Sequence, residues 1–279
     1  MPPTSRHPII TTPFPHPQVI LLTNAGRHSL NLHRAAEAKE RALAALKLDA
    51  VYTPAWALLC DAMQRLGGPD EGEACGIVGV RRGVWERPDQ RPAKFEPGLE
   101  ASKPWPDAAT YPAIHAALAP LTAAWEAIRG EALGMLALAG AGGLAFGTME
   151  GLEERPDDED RGRWHSRPLR CWEAPAEAPA TCAALLEVNE LLLAAVGEDA
   201  SGQRKLLYTA QFLRLEPGGH IRPHCGAGNF RWVAHLGLLV PEGVSITVGG
   251  EQRSWTEGGT ILFDDSFIHE VLHTGTMLL

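Results

Sequence analysis

The last quarter of the chain consists of short apolar segments that are separated by glycine and proline turns. Short strands at regular spacing, with turn signals between them, are typical of a jelly-roll or cupin-like barrel. Such a barrel brings residues that are distant in the sequence to one face. The predicted strands are residues 205–215, 220–224, 231–240, 245–248, 252–255, 260–263 and 270–272.

The N-terminal part of the chain has a helical pattern instead. Residues 31–48 carry apolar side chains at helical spacing, and residues 54–66 form a second predicted helix that Gly67 and Gly68 end. Tyr52, Pro54 and Trp56 resemble one helix-turn-helix of a tetratricopeptide (TPR) array, but stable arrays usually need three units. A plain helical pair is the alternative. Helices first and strands later predict an α+β chain.

Composition excludes several classes of function. The chain has 279 residues, 45% of them hydrophobic and 21% charged, which is ordinary for a globular protein. A net charge of −9 gives no basic face for nucleic acid. No apolar run reaches the roughly 20 residues that span a bilayer. We therefore expect a cytoplasmic protein with no nucleic-acid or membrane partner.

Five cysteines, none in a C-x-x-C pair, argue against a structural zinc site or a disulfide framework. Cys171 and Cys182 flank a Pro/Ala-rich loop and suit a bridge in an oxidising compartment, whereas reduced thiols are expected in the cytosol. Cys225 follows His224 and should point to the opposite face of its strand, so we expect it to pack rather than bind a metal.

Two histidines predict a metal site. His224 and His269 lie 45 residues apart, each where a predicted strand ends or begins. Strands of a small barrel can bring such residues to one ion. Imidazole binds Fe, Zn, Cu and Ni, so the spacing alone does not choose the metal.

The motifs around these histidines resemble the aspartyl/asparaginyl β-hydroxylase domain. Upstream segments resemble the start and middle of the same domain, so the resemblance covers residues 95–279. The matching residues are Pro217, His220, Pro223, His224, Gly226, Asn229, His235 to Leu238, Pro241, Trp255, Gly258 and Phe263 to Val271, preceded by Phe95, Pro97, Pro104, Trp105, Trp164, His165 and Pro168.

This resemblance implies an Fe(II)/2-oxoglutarate oxygenase on a double-stranded β-helix, which uses O2. His224 and His269 would be the catalytic iron ligands. Members of the family carry glycine where related oxygenases have a ligating carboxylate, and Gly226 fits that position. The resemblance also implies that His235 binds 2-oxoglutarate and that Asp264 or Asp265 orients a ligand histidine from behind.

Several positions depart from the family pattern. Leu213 and Val233 stand where the family has a serine and an arginine that bind the cosubstrate, and no arginine follows Arg253. Loss of one partner of a buried charge pair costs about 2–5 kcal/mol. Arg214, Arg222 and Arg231 are the candidate substitutes, of which we favour Arg222 and Arg231 for binding 2-oxoglutarate.

Three functions compete for these residues. The first is an Fe(II)-dependent dioxygenase, with 2-oxoglutarate as cosubstrate, that hydroxylates an Asp/Asn-like side chain in a peptide or a small amino-acid derivative. The second is a metal oxygenase without 2-oxoglutarate, whose substrate chelates the metal. The third is a catalytically degenerate binding module.

The sequence also predicts how the chain is divided. We expect a flexible arm over residues 1–18, a helical TPR-like region over 19–94 and the β-hydroxylase-like domain over 95–279. A barrel that lacks most of its last strand has an open edge, which proteins usually pair or cover. That edge favours a homodimer or coverage by the helical region.

Overall fold

The structure is a computed structural model, and it describes residues 15–99, 103–140, 147–148, 164–197 and 206–276. Helices dominate the N-terminal part and strands the C-terminal part, so the chain is α+β as predicted. It folds as two compact units, residues 1–95 and 96–279.

The first unit contains four helices, each packed on the next: α1 (Pro17–Asn31), α2 (Ala35–Leu48), α3 (Thr53–Gly67) and α4 (Pro69–Arg81). The single helix predicted over 31–48 is interrupted, because His33 adopts a left-handed φ of 63° that ends one helix before the next begins. Helix α1 also starts inside the arm predicted over 1–18, whose first 14 residues lie outside the described part of the chain.

The segment after α4 packs onto this unit. The Trp85 ring lies where a side chain at Gly79 would stand, and its Nε1 donates to the carbonyl of Pro92 at 3.1 Å. Arg91 is 5% exposed and donates to the carbonyl of Gly72 at 2.7 Å. These contacts close the helical core, which contains Leu30, Ala38, Ala42, Trp56, Leu58, Cys60 and Trp85.

The second unit begins with helices α5 (Pro112–Ala117), α6 (Ala119–Ala123) and α7 (Trp125–Gly140), and α8 (Pro179–Val196) follows later. The Glu131 carboxylate accepts from the backbone N–H of Ala180 and Thr181, and so caps the start of α8. Helix α8 is long and apolar enough in composition to cross a membrane. Its buried Val188 packs in one cluster with residues of α6, α7 and Phe212.

Nine strands form three antiparallel sheets among the described residues. The first sheet has the order β1 (Gly147–Thr148), β2 (Trp164–Pro168), β3 (Gln211–Leu215). The second has the order β4 (His220–His224), β9 (His269–His273), β6 (Val244–Val248), β7 (Glu251–Arg253), and the third pairs β5 (Val233–Leu236) with β8 (Thr260–Phe263). The strands predicted over 220–224 and 260–263 match in both bounds, whereas that over 231–240 shortens to four residues.

An apolar core joins strands of all three sheets. In the second sheet Ile246 pairs with Val271 and Val248 with His269, so these four side chains share one face. In the third sheet Val233 pairs with Phe263. Both faces contribute to one cluster, which contains Trp105, Leu215, Ile221, Val233, Ile246, Val248, Trp255, Ile261, Phe263, Phe267 and Val271.

Four of the five cysteines are paired, which corrects the expectation that no disulfide framework exists. Cys60 of α3 bonds Cys75 of α4, and Cys171 bonds Cys182 near the start of α8; their Cα atoms are 5.2 and 4.9 Å apart. Cys225 is the one cysteine of the described residues that is outside a disulfide. The sequence did not reveal the first pair because helix packing, not spacing, brings the two thiols together.

Protein purified from its native compartment without reductant is therefore expected to expose one thiol to a thiol reagent after denaturation, and five after reduction. Reduction should lower the stability of each unit, by roughly 3 kcal/mol for loops of this length. Five reactive thiols without reductant would contradict the pairing and would fit the cytoplasmic expectation.

Candidate metal centre

The two predicted ligand histidines are neighbours in the structure. His224, the last residue of β4, is paired with His269, the first residue of β9, and their ring centroids are 4.2 Å apart. His224 is exposed and His269 is half-buried, so the pair lies at the rim of the core and opens toward solvent. Rings at this separation can direct one nitrogen each at a single ion.

A one-residue irregularity creates this juxtaposition. Between the pairs Ile221–Val271 and His224–His269 the register shifts by one residue, because β4 carries one residue more than β9. In a regular ladder Pro223 would face His269, and His224 would point to the other side of the sheet. The extra residue is a β-bulge, and Pro223 suits it because proline has no N–H to give to the ladder.

Backbone carbonyls fix both rings. The Nδ1 of His224 lies 2.8 Å from the carbonyl oxygen of Arg222, and the Nδ1 of His269 lies 2.9 Å from that of Phe267. A carbonyl oxygen only accepts, so each Nδ1 must carry the proton. Each Nε2 then has a free lone pair, which is the form of imidazole that binds a metal.

Burial favours the same form at His269. Desolvation first, and the neighbouring His224 second, lower the pKa of His269 to about 3. The neutral ring therefore persists at neutral pH, and a metal does not have to displace a proton from it.

The Asp265 carboxylate packs directly against Gly226. A Cβ on Gly226 would overlap the Asp265 carboxylate, and the backbone N–H of Gly226 donates to the Asp265 carbonyl at 2.6 Å. Arg231 holds this carboxylate, with Nη2 2.5 Å from Oδ2. Asp265 thus occupies the space that a side chain at position 226 would need.

Asp264 makes different contacts from Asp265. It is fully buried, and its Oδ1 accepts from the N–H and the hydroxyl of Ser266 at 2.9 and 2.5 Å. It therefore shapes the turn that leads into His269. Backbone carbonyls hold both candidate ligand rings, and the expected orientation of one of them by Asp264 or Asp265 stays a prediction.

His235 belongs to the same cluster of rings. Its ring centroid lies 5.0 Å from that of Phe263, which in turn lies 5.9 Å from that of His269. Trp255 donates from Nε1 to Nδ1 of His235 at 3.3 Å. Desolvation lowers the pKa of His235 to about 4, so this ring is also neutral at pH 7.

The remaining predicted residues divide into two groups. Arg222 contributes its carbonyl to His224, and Val233 packs in the core on the same strand face as His235. His220 bonds the carboxylate of Glu270 at 2.9 Å and is paired with Leu272, on the side of the sheet away from Val271. Trp255 and the carbonyl of Phe267 had no predicted role. Their roles follow from their hydrogen bonds to His235 and His269.

Two imidazoles are the whole of the protein's metal-binding set within the described residues, since no group of three His, Cys, Asp or Glu side chains there could hold an ion. The donor set fits a metal that takes imidazole and leaves several positions to other ligands, as non-heme iron does.

The comparisons with known proteins identify one family. A sequence model of the aspartyl/asparaginyl β-hydroxylase family matches residues 122–277. The aspartyl/asparaginyl β-hydroxylases of Mus musculus and Homo sapiens are 33% identical over 215 residues, which is 76% of this chain and 27% and 26% of theirs. The human aspartate β-hydroxylase domain-containing protein 2 is 48% identical over 62 residues, or 22% of this chain and 17% of its own.

Gly226→Ala should damage the site, because the new methyl group would displace the Asp265 carboxylate from Arg231. We expect weaker Fe(II) binding and a loss of roughly 1–3 kcal/mol in the free energy of urea-induced unfolding. The matched control is Gly130→Ala in α7, where a Cβ meets nothing within 4 Å. Equal metal affinity in the two variants would contradict the packing of Asp265 against Gly226.

Proposed function

Because the chain belongs to the aspartyl/asparaginyl β-hydroxylase family, we propose that it is an Fe(II)-dependent dioxygenase that hydroxylates a C–H bond of an Asp- or Asn-like side chain. The observation that carries this proposal is the pair of imidazoles, His224 and His269, whose Nδ1 protons are held by carbonyls so that both Nε2 lone pairs are free.

His224 and His269 would hold the iron. When bound there, iron together with a 2-oxo acid and O2 supplies the oxidising chemistry, and the protein's task is to orient the substrate and exclude competing reactions. Gly226 has no side chain, and the Asp265 carboxylate is bound to Arg231. Positions around the metal therefore stay available to small ligands.

His235 and Arg231 are the proposed residues for the cosubstrate 2-oxoglutarate. His235 lies in the ring cluster that includes His269, and the side chain of Arg231 is 42% exposed while its guanidinium pairs with Asp265. A carboxylate ligand would share this guanidinium or take the place of Asp265, since an arginine fork binds carboxylates in pairs of hydrogen bonds.

The substrate is proposed to be a peptide or a small amino-acid derivative. The chain spans about a quarter of the length of the two β-hydroxylases it matches, so their names support the reaction class more than the particular substrate. We also propose that the second and third sheets form the double-stranded β-helix typical of such oxygenases, and that α1 to α4 are a TPR-like pair of helical hairpins. Sequential packing of each helix on the next supports the latter proposal.

A second candidate function rests on Val233. This side chain lies on the same strand face as His235 and packs in the apolar core, where an arginine would bring a charge. A pocket with that composition favours an oxygenase whose substrate binds the metal directly and needs no 2-oxoglutarate. Substrate turnover without 2-oxoglutarate would distinguish this candidate from the first.

The proposal predicts different outcomes for two histidines on one strand. His224→Ala should abolish both tight Fe(II) binding and the weak visible band that forms when 2-oxoglutarate chelates the iron under anoxic conditions. His220→Ala is the matched control, because His220 bonds Glu270 on the other side of the sheet and should leave iron and the band intact.

Retention of iron and activity by the His224→Ala variant would contradict the proposed ligand set. Iron that binds without any band over a range from micromolar to millimolar 2-oxoglutarate would favour the second candidate.

A further inference from the structure

We propose that Trp255 is a positioning residue that fixes the tautomer of His235, so that the Nε2–H of this ring donates to a carboxylate oxygen of the bound oxo-acid. The role for the ligand rests on the proposed function, whereas the tautomer itself is a property of the metal-free protein. Nothing in the family resemblance assigned a role to Trp255 beyond its place in the motif.

The direction of one hydrogen bond carries this inference. The indole Nε1 of Trp255 always bears a hydrogen and never accepts, so its contact of 3.3 Å with Nδ1 of His235 makes Nδ1 the acceptor. The planes of the two rings are inclined by only 16° to each other. In a neutral imidazole with an unprotonated Nδ1, the proton must be on Nε2.

Burial supports the neutral state that this reasoning needs. Desolvation lowers the pKa of His235 to about 4, and a second proton on Nδ1 would lose the bond from Trp255. Among the described residues no hydrogen bond occupies Nε2 of His235. The ring therefore offers one N–H donor that the protein itself does not use.

The three imidazoles of the site thus fall into two opposite forms. His224 and His269 give their Nδ1 protons to backbone carbonyls and keep Nε2 as a lone pair, whereas His235 keeps its Nε2 proton. The first form binds a cation and the second donates to an anion. Fixed tautomers keep His235 from competing for the metal and keep a donor close to the ligand of that metal.

The neighbours of His235 suit a carboxylate with an apolar body. Phe263 contacts the ring edge-on, and Val233 and Ile261 belong to the same apolar cluster. In such surroundings one N–H donor contributes more than it would in water, because the local dielectric is low.

Trp255→Phe tests the proposal, because phenylalanine keeps an aromatic ring and removes only the N–H. Imidazole nitrogen NMR of the metal-free, nitrogen-15-labelled protein at pH 7 reads the tautomer directly. We expect His235 to show a pure Nε2–H pattern in the wild type and a mixture of both tautomers in the variant. The matched control is Trp105→Phe, since Trp105 contacts Phe263 and not His235 and should leave the pattern unchanged.

Ligand binding supplies the second measurement. In the anoxic Fe(II) protein, Trp255→Phe should lower the affinity for 2-oxoglutarate roughly fivefold. That loss is equivalent to one ordinary hydrogen bond of about 1 kcal/mol. The affinity for Fe(II) should not change. In the His235→Gln background the same substitution should have no further effect, because a carboxamide has its own N–H donors and does not need Trp255.

The outcomes separate this inference from the proposed function. An unchanged His235 tautomer in the Trp255→Phe variant, or an equal loss of affinity in the His235→Gln background, overturns the role of Trp255. The His235 tautomer could depend on Trp255 while the wild-type protein binds no 2-oxoglutarate. That result would support the positioning role of Trp255 and would contradict the use of 2-oxoglutarate as cosubstrate.

Discussion

The pairing of β4 with β9, with one extra residue between Ile221 and His224, is the constraint on which the candidate site depends. Without the bulge, alternation of side chains would send His224 and His269 to opposite sides of the sheet. With it, both rings lie on the side that also carries Val271 and the apolar core. Ladder pairing of β9 with β6 on its other edge holds this register, since Val248 is opposite His269.

Hydrogen bonds then decide what each histidine can do. Two carbonyls and one indole divide three imidazoles with the same intrinsic chemistry into two rings with a lone pair on Nε2 and one ring with a proton there. Loss of solvent around His235 and His269 lowers the pKa of both and keeps them neutral. Chemical roles in this site are therefore set by the immediate partners of each ring as much as by residue type.

Those parts of the fold and of the candidate site that have strong local sequence signals could be predicted from the sequence. Glycine and proline turns gave the bounds of the strands at 220–224 and 260–263, and the motif identified His224 and His269. The helix break at His33 was not predicted, because a histidine in the left-handed conformation has no distinctive local sequence pattern. The pairing of Cys60 with Cys75 depends on how two helices pack, which spacing does not encode.

The site itself was only partly accessible to sequence reasoning. Asp264 and Asp265 are adjacent, yet one shapes a turn and the other pairs with Arg231, and no composition rule distinguishes them. The tautomer of His235 depends on a contact across 20 residues. Such facts arise from tertiary geometry, and for that reason the motif that contains Trp255 did not indicate its contact with His235.

The most direct test of the account is X-ray absorption spectroscopy of the protein loaded with one equivalent of Fe(II) under anoxic conditions. The proposed function predicts a mononuclear iron with two imidazole ligands and otherwise light oxygen donors. A spectrum that requires three or more imidazoles, a cysteine sulfur from Cys225, or no bound iron at all would contradict the claim that the β4–β9 bulge builds a two-histidine metal centre.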